Sequence, residues 1–244
     1  MNDSIVDTKT DYYKIIKSKT REREVRFIGT TTKVGFYEGQ IPKETFLQIE
    51  YEFRKANLQQ LKGEYAVGWT DDETISTTFC RQNKFVNSIE DYGEAGPDEL
   101  VWGYYPLRYL FQTLELKRID STKLPFYLNL HYFRFERKNE VCVLTQSESF
   151  LLWNYLRKGS IVQNSFDKKF NLSFVRNYIW APSSDEMDDS YGEKSENKVR
   201  SIVSDGRHYA FDIEGQGQRT IDIGFNFFEI NLPFLQFREK NEYD

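Results

Sequence analysis

The sequence is poor in the residues that most often build catalytic centres and covalent cross-links. Its 244 residues include two cysteines, two histidines and six prolines. Cys80 and Cys142 both fall in predicted strands, so we expect free thiols in the core rather than a disulfide. His131 and His208 have no further histidine or cysteine at ligand spacing, which argues against a zinc site and against a Ser–His or Cys–His catalytic pair.

Long apolar runs and phosphate-binding glycine motifs are also missing. Runs such as Phe150–Trp153 fall far short of the roughly 18 residues that a membrane-spanning helix needs. The first twenty residues carry charges throughout and contain no apolar segment of the kind found in signal peptides, so we expect a cytoplasmic protein without a membrane partner. Gly215-Gln216-Gly217 lacks the third glycine of a dinucleotide-binding loop and is predicted to close a hairpin.

Aromatic residues are abundant instead. They make up 16% of the chain, with 20 Phe and 16 Tyr, and they favour the half-buried surface of a sheet over a helix. We therefore predict an α+β fold built on a predominantly antiparallel, aromatic-rich sheet system, either a sandwich or a strongly curved sheet or barrel, with two or three packed helices.

Apolar spacing locates the main elements. Phe46, Ile49 and Phe53 recur at helical intervals and predict a helix over 43–62, and a second helix is predicted over 148–158. Three hairpins are predicted, joining 65–69 to 74–80 around Asp71-Asp72, 124–137 to 141–145, and 202–203 to 209–213 around Asp205-Gly206. Residues 87–98 have the composition of a loop, and a short helix is predicted after Pro106.

The domain organisation follows from where this pattern stops. Residues 1–10 are polar and are expected to fray, and 11–244 are predicted to form a single domain. Residues 182–198 contain six acidic residues, two lysines and no periodic apolar residue, so we expect an acidic, mobile loop there.

One spacing resembles a catalytic signature. Pro97-Asp98 followed by Glu115-Leu116-Lys117 resembles the signature of the restriction-nuclease superfamily. The resemblance implies Mg²⁺ held by Asp98 and Glu115 against the scissile phosphate, with Lys117 stabilising charge or orienting water. Glu-x-Lys triplets also occur at 136–138 and 196–198, so the triplet alone has little specificity. A Mg²⁺-dependent nuclease is therefore the alternative function and not the preferred one.

A basic segment near the N-terminus gives a second alternative. Within residues 14–26 six cations stand against two glutamates, although the whole chain has a net charge of −5. The cations are Lys14, Lys17, Lys19, Arg21, Arg23 and Arg26. They are typical of an exposed strand edge protected by charge, and a nucleic-acid-binding protein that uses them is the second alternative function.

The aromatic residues give the preferred function. Tyr104, Tyr105, Phe133 and Phe135 belong to a set too dense for one side of a sheet, so part of it is expected at the surface, unless two packed sheets bury it. We therefore predict a non-enzymatic binding protein without a cofactor, such as an accessory, structural or inhibitory protein of a virus, plasmid or bacterium. Its expected partner is another protein.

Overall fold

The structure is a computed structural model, and it describes residues 37–70, 72, 74–115, 117–118, 131–176 and 199–241. Within these ranges the chain forms four helices and thirteen strands. The helices are α1 (Lys43–Lys55), α2 (Asp98–Thr113), α3 (Gln146–Lys158) and α4 (Phe227–Asn231). The strands are β1 (Tyr37–Glu38), β2 (Glu64–Ala66), β3 (Thr74–Arg81), β4 (Lys84–Tyr92), β5 (Lys117–Arg118), β6 (His131–Arg137), β7 (Glu140–Val143), β8 (Ser160–Val162), β9 (Phe170–Arg176), β10 (Val199–Ser204), β11 (His208–Ile213), β12 (Gly217–Asp222) and β13 (Arg238–Glu239).

The largest sheet has eight strands in the order β13-β7-β6-β9-β10-β11-β12-β8. Its neighbouring strands pair antiparallel, and within the described residues it stays open between β13 and β8 rather than closing into a barrel. Phe135 lies opposite Cys142 on β7 and Leu172 on β9, and all three side chains are buried. The register therefore puts the apolar residues on one core face, and the predicted α+β, aromatic-rich class is confirmed.

Two smaller sheets complete the architecture. One has the order β2-β4-β3, with β2 parallel to β4, and the other pairs β1 with β5. The predicted hairpin between 65–69 and 74–80 is therefore wrong. The hairpin forms instead between β3 and β4, where Gln82 and Asn83 have φ of 51° and 65°. Positive φ at both central residues is characteristic of the type I′ turn of two-residue hairpins, and asparagine tolerates it well.

The loop predicted over 87–98 is a strand as far as Tyr92. Alternate residues of β4 are buried, but two of them, Asn87 and Asp91, are polar. A polar residue at an inward position hides the period-two apolar pattern on which strand prediction depends. This explains why the composition indicated a loop.

The helices α1 and α2, which precede and follow β4 along the chain, differ from their predicted limits. The helix predicted over 43–62 ends at Lys55, because Ala56 takes an extended backbone (φ −75°, ψ 125°) and a turn follows in which Gln60 N–H donates to the Asn57 carbonyl at 2.8 Å. The helix predicted after Pro106 begins already at Asp98 and contains the proline. With α4, which was not predicted, the described residues hold more helices than the two or three expected.

Other predictions are confirmed. The helix predicted over 148–158 is α3, and it begins two residues earlier with a capping box in which Thr145 and Glu148 bond each other's backbone N–H. The hairpins β6–β7 and β10–β11 form as predicted within the described residues, the second around Asp205-Gly206. Gly215 lies in the turn between β11 and β12, as expected of a hairpin loop.

Residue contacts divide the chain into two compact units. Unit 1 comprises Met1–Ile75 and Ile89–Asp120, and unit 2 comprises Ser76–Ser88 and Ser121–Asp244. The single domain over 11–244 stays a prediction, and the fraying 1–10, the basic window 14–26 and the acidic loop 182–198 lie outside the described residues. Of the helices described here, none combines the length and the apolar character needed to cross a membrane.

Candidate binding surface

The two helices of unit 1 are held together through one face each. On α1, Ile49 and Phe53 are buried, and on α2 the buried residues include Leu100 and Tyr104. The rings of Phe53 and Tyr104 meet edge to face with centroids 6.2 Å apart. A Cβ at Gly103 would lie 2.4 Å from a ring carbon of Phe53, so the absence of a side chain there permits this close approach. The inward side of α2 is thereby fixed.

The opposite side of α2 carries two exposed aromatic rings. Trp102 is 62% exposed and Tyr105 is 38% exposed, and their ring centroids lie 5.5 Å apart at an angle of 40°. Asp98 shares this side, because residues four and seven positions apart in a helix lie on one face, and it is exposed as well. We call Asp98, Trp102 and Tyr105 the α2 outer face.

Two further exposed aromatic residues lie in the same unit. Tyr51, on the side of α1 turned away from the buried residues, is 62% exposed, and the Lys55 ammonium lies 4.6 Å from its ring centroid. Trp69 is also 62% exposed, and its Nε1–H donates to the Asp72 carboxylate at 3.3 Å. Single exposed rings are ordinary on protein surfaces, whereas adjacent Trp and Tyr rings such as Trp102 and Tyr105 are the residue types enriched at interface hot spots.

Of the four aromatic residues predicted to bind a partner, only Tyr105 is exposed. Phe133 and Phe135 are 0% exposed and Tyr104 is 3% exposed, so these three side chains are part of the core. The expectation that they form surface does not hold, because both phenylalanines lie on the core face of β6. Trp102 was missed, although two acidic residues after Pro97 are typical of a helix N-terminus and would have placed it with Tyr105.

The residues of the nuclease-like signature are kept apart. Asp98 is the first residue of α2, and Glu115 lies two residues after its last residue, Thr113. The 16 residues of α2 span about 24 Å at 1.5 Å per residue, far beyond the reach of one metal ion. Lys117 lies in β5, and among the described residues no group of three His, Cys, Asp or Glu could hold a metal. The structure therefore does not support the Mg²⁺ site of the alternative function.

The best-defined polar cluster surrounds His208 in unit 2. The His208 Nδ1 lies 2.9 Å from Oδ2 of Asp205, and its Nε2 lies 3.7 Å from Oδ2 of Asp222. Arg207 donates two hydrogen bonds of 2.9 Å to the two oxygens of Asp222. The Phe166 ring stacks on the His208 imidazole with ring centroids 5.5 Å apart. Because an ionised carboxylate can only accept, the proton shared with Asp205 belongs to Nδ1.

The charges of this cluster are set by hydrogen bonds. Burial raises the pKa of Asp205, but hydrogen bonds from His208 and from the Arg207 N–H outweigh it and lower the pKa overall. The Arg207 guanidinium lowers the pKa of Asp222. Both carboxylates are therefore ionised at neutral pH. They hold the turn between β10 and β11, since Asp205 also accepts from the backbone N–H of Arg207 and His208.

The two thiols are not poised for reaction. Cys80 and Cys142 are free, and burial raises the pKa of each to about 12. A thiol with so high a pKa carries almost no nucleophilic thiolate at neutral pH. The expectation of free thiols is confirmed for both.

Comparisons with known proteins give one partial match. The described residues define an α+β protein with an open antiparallel sheet and an aromatic helix surface. The model of a family described as a domain of unknown function, DUF6438, matches residues 6–111, which include α1, β2 to β4, Trp102 and Tyr105. No curated protein and no solved structure matches the chain.

Proposed function

We propose that this chain is a non-enzymatic binding protein that contacts another protein through the α2 outer face. The observation that carries the proposal is the exposed pair of rings of Trp102 and Tyr105. Trp and Tyr are the residues that most often contribute large shares of binding energy in protein interfaces. Asp98 on the same side adds a negative charge, which favours a partner with basic groups around an apolar centre.

The energetics of α2 support this role. Its buried side already packs on α1 through Tyr104, so the fold does not require a large ring at Trp102. An exposed indole forgoes roughly 25 cal/mol for each Å² of apolar surface left in water. A partner that covers the ring recovers this free energy on binding.

The location of the protein belongs to the same proposal. We propose a cytoplasmic setting, which the free thiols of Cys80 and Cys142 support, because reducing compartments keep thiols unpaired.

Site-specific photo-crosslinking in the native host tests the binding surface. A photoreactive amino acid at position 105 should give one discrete crosslinked protein, and Trp102→Ala should abolish that adduct. Trp69→Ala is the matched control, because Trp69 has the same exposed fraction of 62% but lies outside α2. The proposal fails if no discrete adduct forms, or if the adduct survives Trp102→Ala in a protein that stays folded.

A nuclease assay tests the alternative. Purified protein should leave single- and double-stranded DNA and RNA intact with Mg²⁺ or Mn²⁺, because the 16 residues of α2 separate Asp98 at its start from Glu115 beyond its end. Cleavage that Asp98→Ala or Glu115→Ala abolishes without unfolding the protein would instead establish the nuclease.

A further inference from the structure

The two edges of the eight-stranded sheet differ in charge. At one edge β13 consists of Arg238 and Glu239, and Lys240 follows and pairs with Glu136 at 2.9 Å. These residues are exposed apart from Glu136, which is half-buried. Charged side chains on an edge strand disfavour the addition of another strand to it. The β13 edge is therefore protected.

The β8 edge has no such protection. β8 spans Ser160–Val162, and the chain continues through Gln163, Asn164, Ser165 and Phe166 before the next charged residue, Asp167. Of the seven uncharged residues from Ser160 to Phe166, five are exposed, and Val162 and Phe166 are half-buried. Within the described part of the chain β8 pairs only with β12. An uncharged edge strand is the kind of surface to which strands add.

The core face of the sheet extends to β8, where its apolar side chain is exposed to solvent. Ile161 lies opposite Ile221 in the β12–β8 ladder, so the two side chains share one face. Ile221 is 0% exposed, whereas Ile161 is 56% exposed. The apolar surface that elsewhere forms the core therefore continues to the last strand without cover.

We propose that a second copy of this chain pairs antiparallel with the first along β8. Ile161 is the middle residue of the three-residue strand, so two-fold pairing places it opposite Ile161 of the other copy. Each isoleucine then covers the other and extends the apolar face across the joint. Because β8 itself carries no charge, no like charges face each other at the three paired positions.

We favour a second copy over an unrelated strand because pairing with a second copy leaves no uncharged edge strand in the joined sheet. After pairing, the two remaining edges of the joined sheet are both β13 edges, and both carry Arg238 and Glu239. The contact is self-complementary and does not propagate into a filament, as two-fold contacts require. With three paired residues per copy the interface is small, so the dimer is weak and depends on concentration.

Sedimentation velocity over a wide range of protein concentrations tests the proposal. The wild-type chain should shift from monomer to dimer as concentration rises, and Ile161→Lys should weaken association by on the order of 10-fold or more, because like charges then face each other across the ladder. Leu232→Lys is the matched control, since Leu232 is 47% exposed and lies outside every strand. The control should dimerise as the wild type does.

Disulfide trapping gives a second measurement that does not depend on a charged variant remaining folded. Ile161→Cys should form a covalent dimer under mild oxidation, because the two introduced thiols lie opposite each other, whereas Leu232→Cys should not. Cys142 is buried and the pKa of both native thiols is about 12, so they interfere little. A wild-type chain that stays monomeric at every concentration overturns the proposal, as does a dimer unaffected by Ile161→Lys or equal trapping at positions 161 and 232. Binding of an extended peptide to β8 in a monomeric chain would show that the edge serves a different partner.

Discussion

Both units bury aromatic rings, but the large exposed aromatic residues among the described residues all lie in unit 1. In unit 2 the rings form the core. The ring centroids of Phe135 and Phe228 lie 4.3 Å apart, and those of Phe228 and Phe170, which stack, lie 4.1 Å apart. In unit 1 the rings of Trp69 and Trp102 are each 62% exposed. Aromatic content therefore does not decide exposure. A ring is buried or exposed according to the side of its element on which the chain's periodicity places it.

The position of each pair along its element shows how this works. Phe133 and Phe135 are two residues apart on a strand, so they share a face, and that face is the core. Trp102 and Tyr105 are three residues apart on a helix, so they also share a face, but Leu100 and Tyr104 occupy the buried side. The former pair should govern stability and the latter should govern binding.

The largest effect is expected from truncating the core pair. Phe135→Ala should lower the free energy of unfolding by about 3–5 kcal/mol, since it removes a fully buried ring and leaves a cavity. Urea denaturation measures this, with Tyr51→Ala, which is 62% exposed, as the unit 1 control. A loss below about 1 kcal/mol would show that the rings of unit 2 are not its core.

A buried asparagine sharpens the comparison, because unit 2 also depends on a polar contact. Asn231 is 0% exposed, its Oδ1 accepts from Phe85 N–H at 2.8 Å, and its Nδ2–H donates to the Asn83 carbonyl at 3.4 Å. Asn231→Leu should cost about 1–3 kcal/mol, because it leaves a buried N–H without a partner. Asn171→Leu, at an exposed position, is the control in the same urea experiment, and equal effects would contradict the prediction.

The contribution of Asp222 to the free energy of unfolding should be smaller than that of Asn231 and should depend on pH. The Arg207 guanidinium lowers the pKa of Asp222, so this carboxylate stabilises the fold above its unfolded pKa of about 3.9 and the contribution is lost as pH falls through the lower folded value. Asp222→Asn should therefore cost under about 1 kcal/mol at neutral pH and nothing in strong acid. Thermal unfolding across pH, with exposed Asp167→Asn as control, checks this; a loss that persists in acid would point to packing instead.

Sequence periodicity predicted the elements whose inward positions are apolar. The β6–β7 and β10–β11 hairpins and α3 were found because their buried residues alternate or recur at helical spacing. The class of the fold followed from them. The order of strands in the sheets did not, because pairing such as that of β2 with β4 is a long-range property that no local pattern contains.

The candidate surface could be predicted only in part. Tyr105 was identified from its ring, but its placement beside Trp102 depends on a helix that begins at Asp98 and runs through Pro106. Proline is expected to end a helix or to begin one, so it shifted the predicted start. The strand β4 was missed for a different local reason, because its inward residues Asn87 and Asp91 are polar and interrupt the alternating apolar pattern.

The smallest effect on stability is expected from the residue that matters most for the proposed function. Trp102→Ala should change the free energy of unfolding by no more than about 0.5 kcal/mol, because an exposed side chain loses little packing, and alanine favours the helix. Trp153→Ala is the matched comparison, since that indole is 0% exposed in unit 2, and it should cost about 3–5 kcal/mol. Urea midpoints of the two variants measure the difference. Similar losses would mean that the α2 outer face is packed within the protein, and the binding proposal would then lose the observation on which it rests.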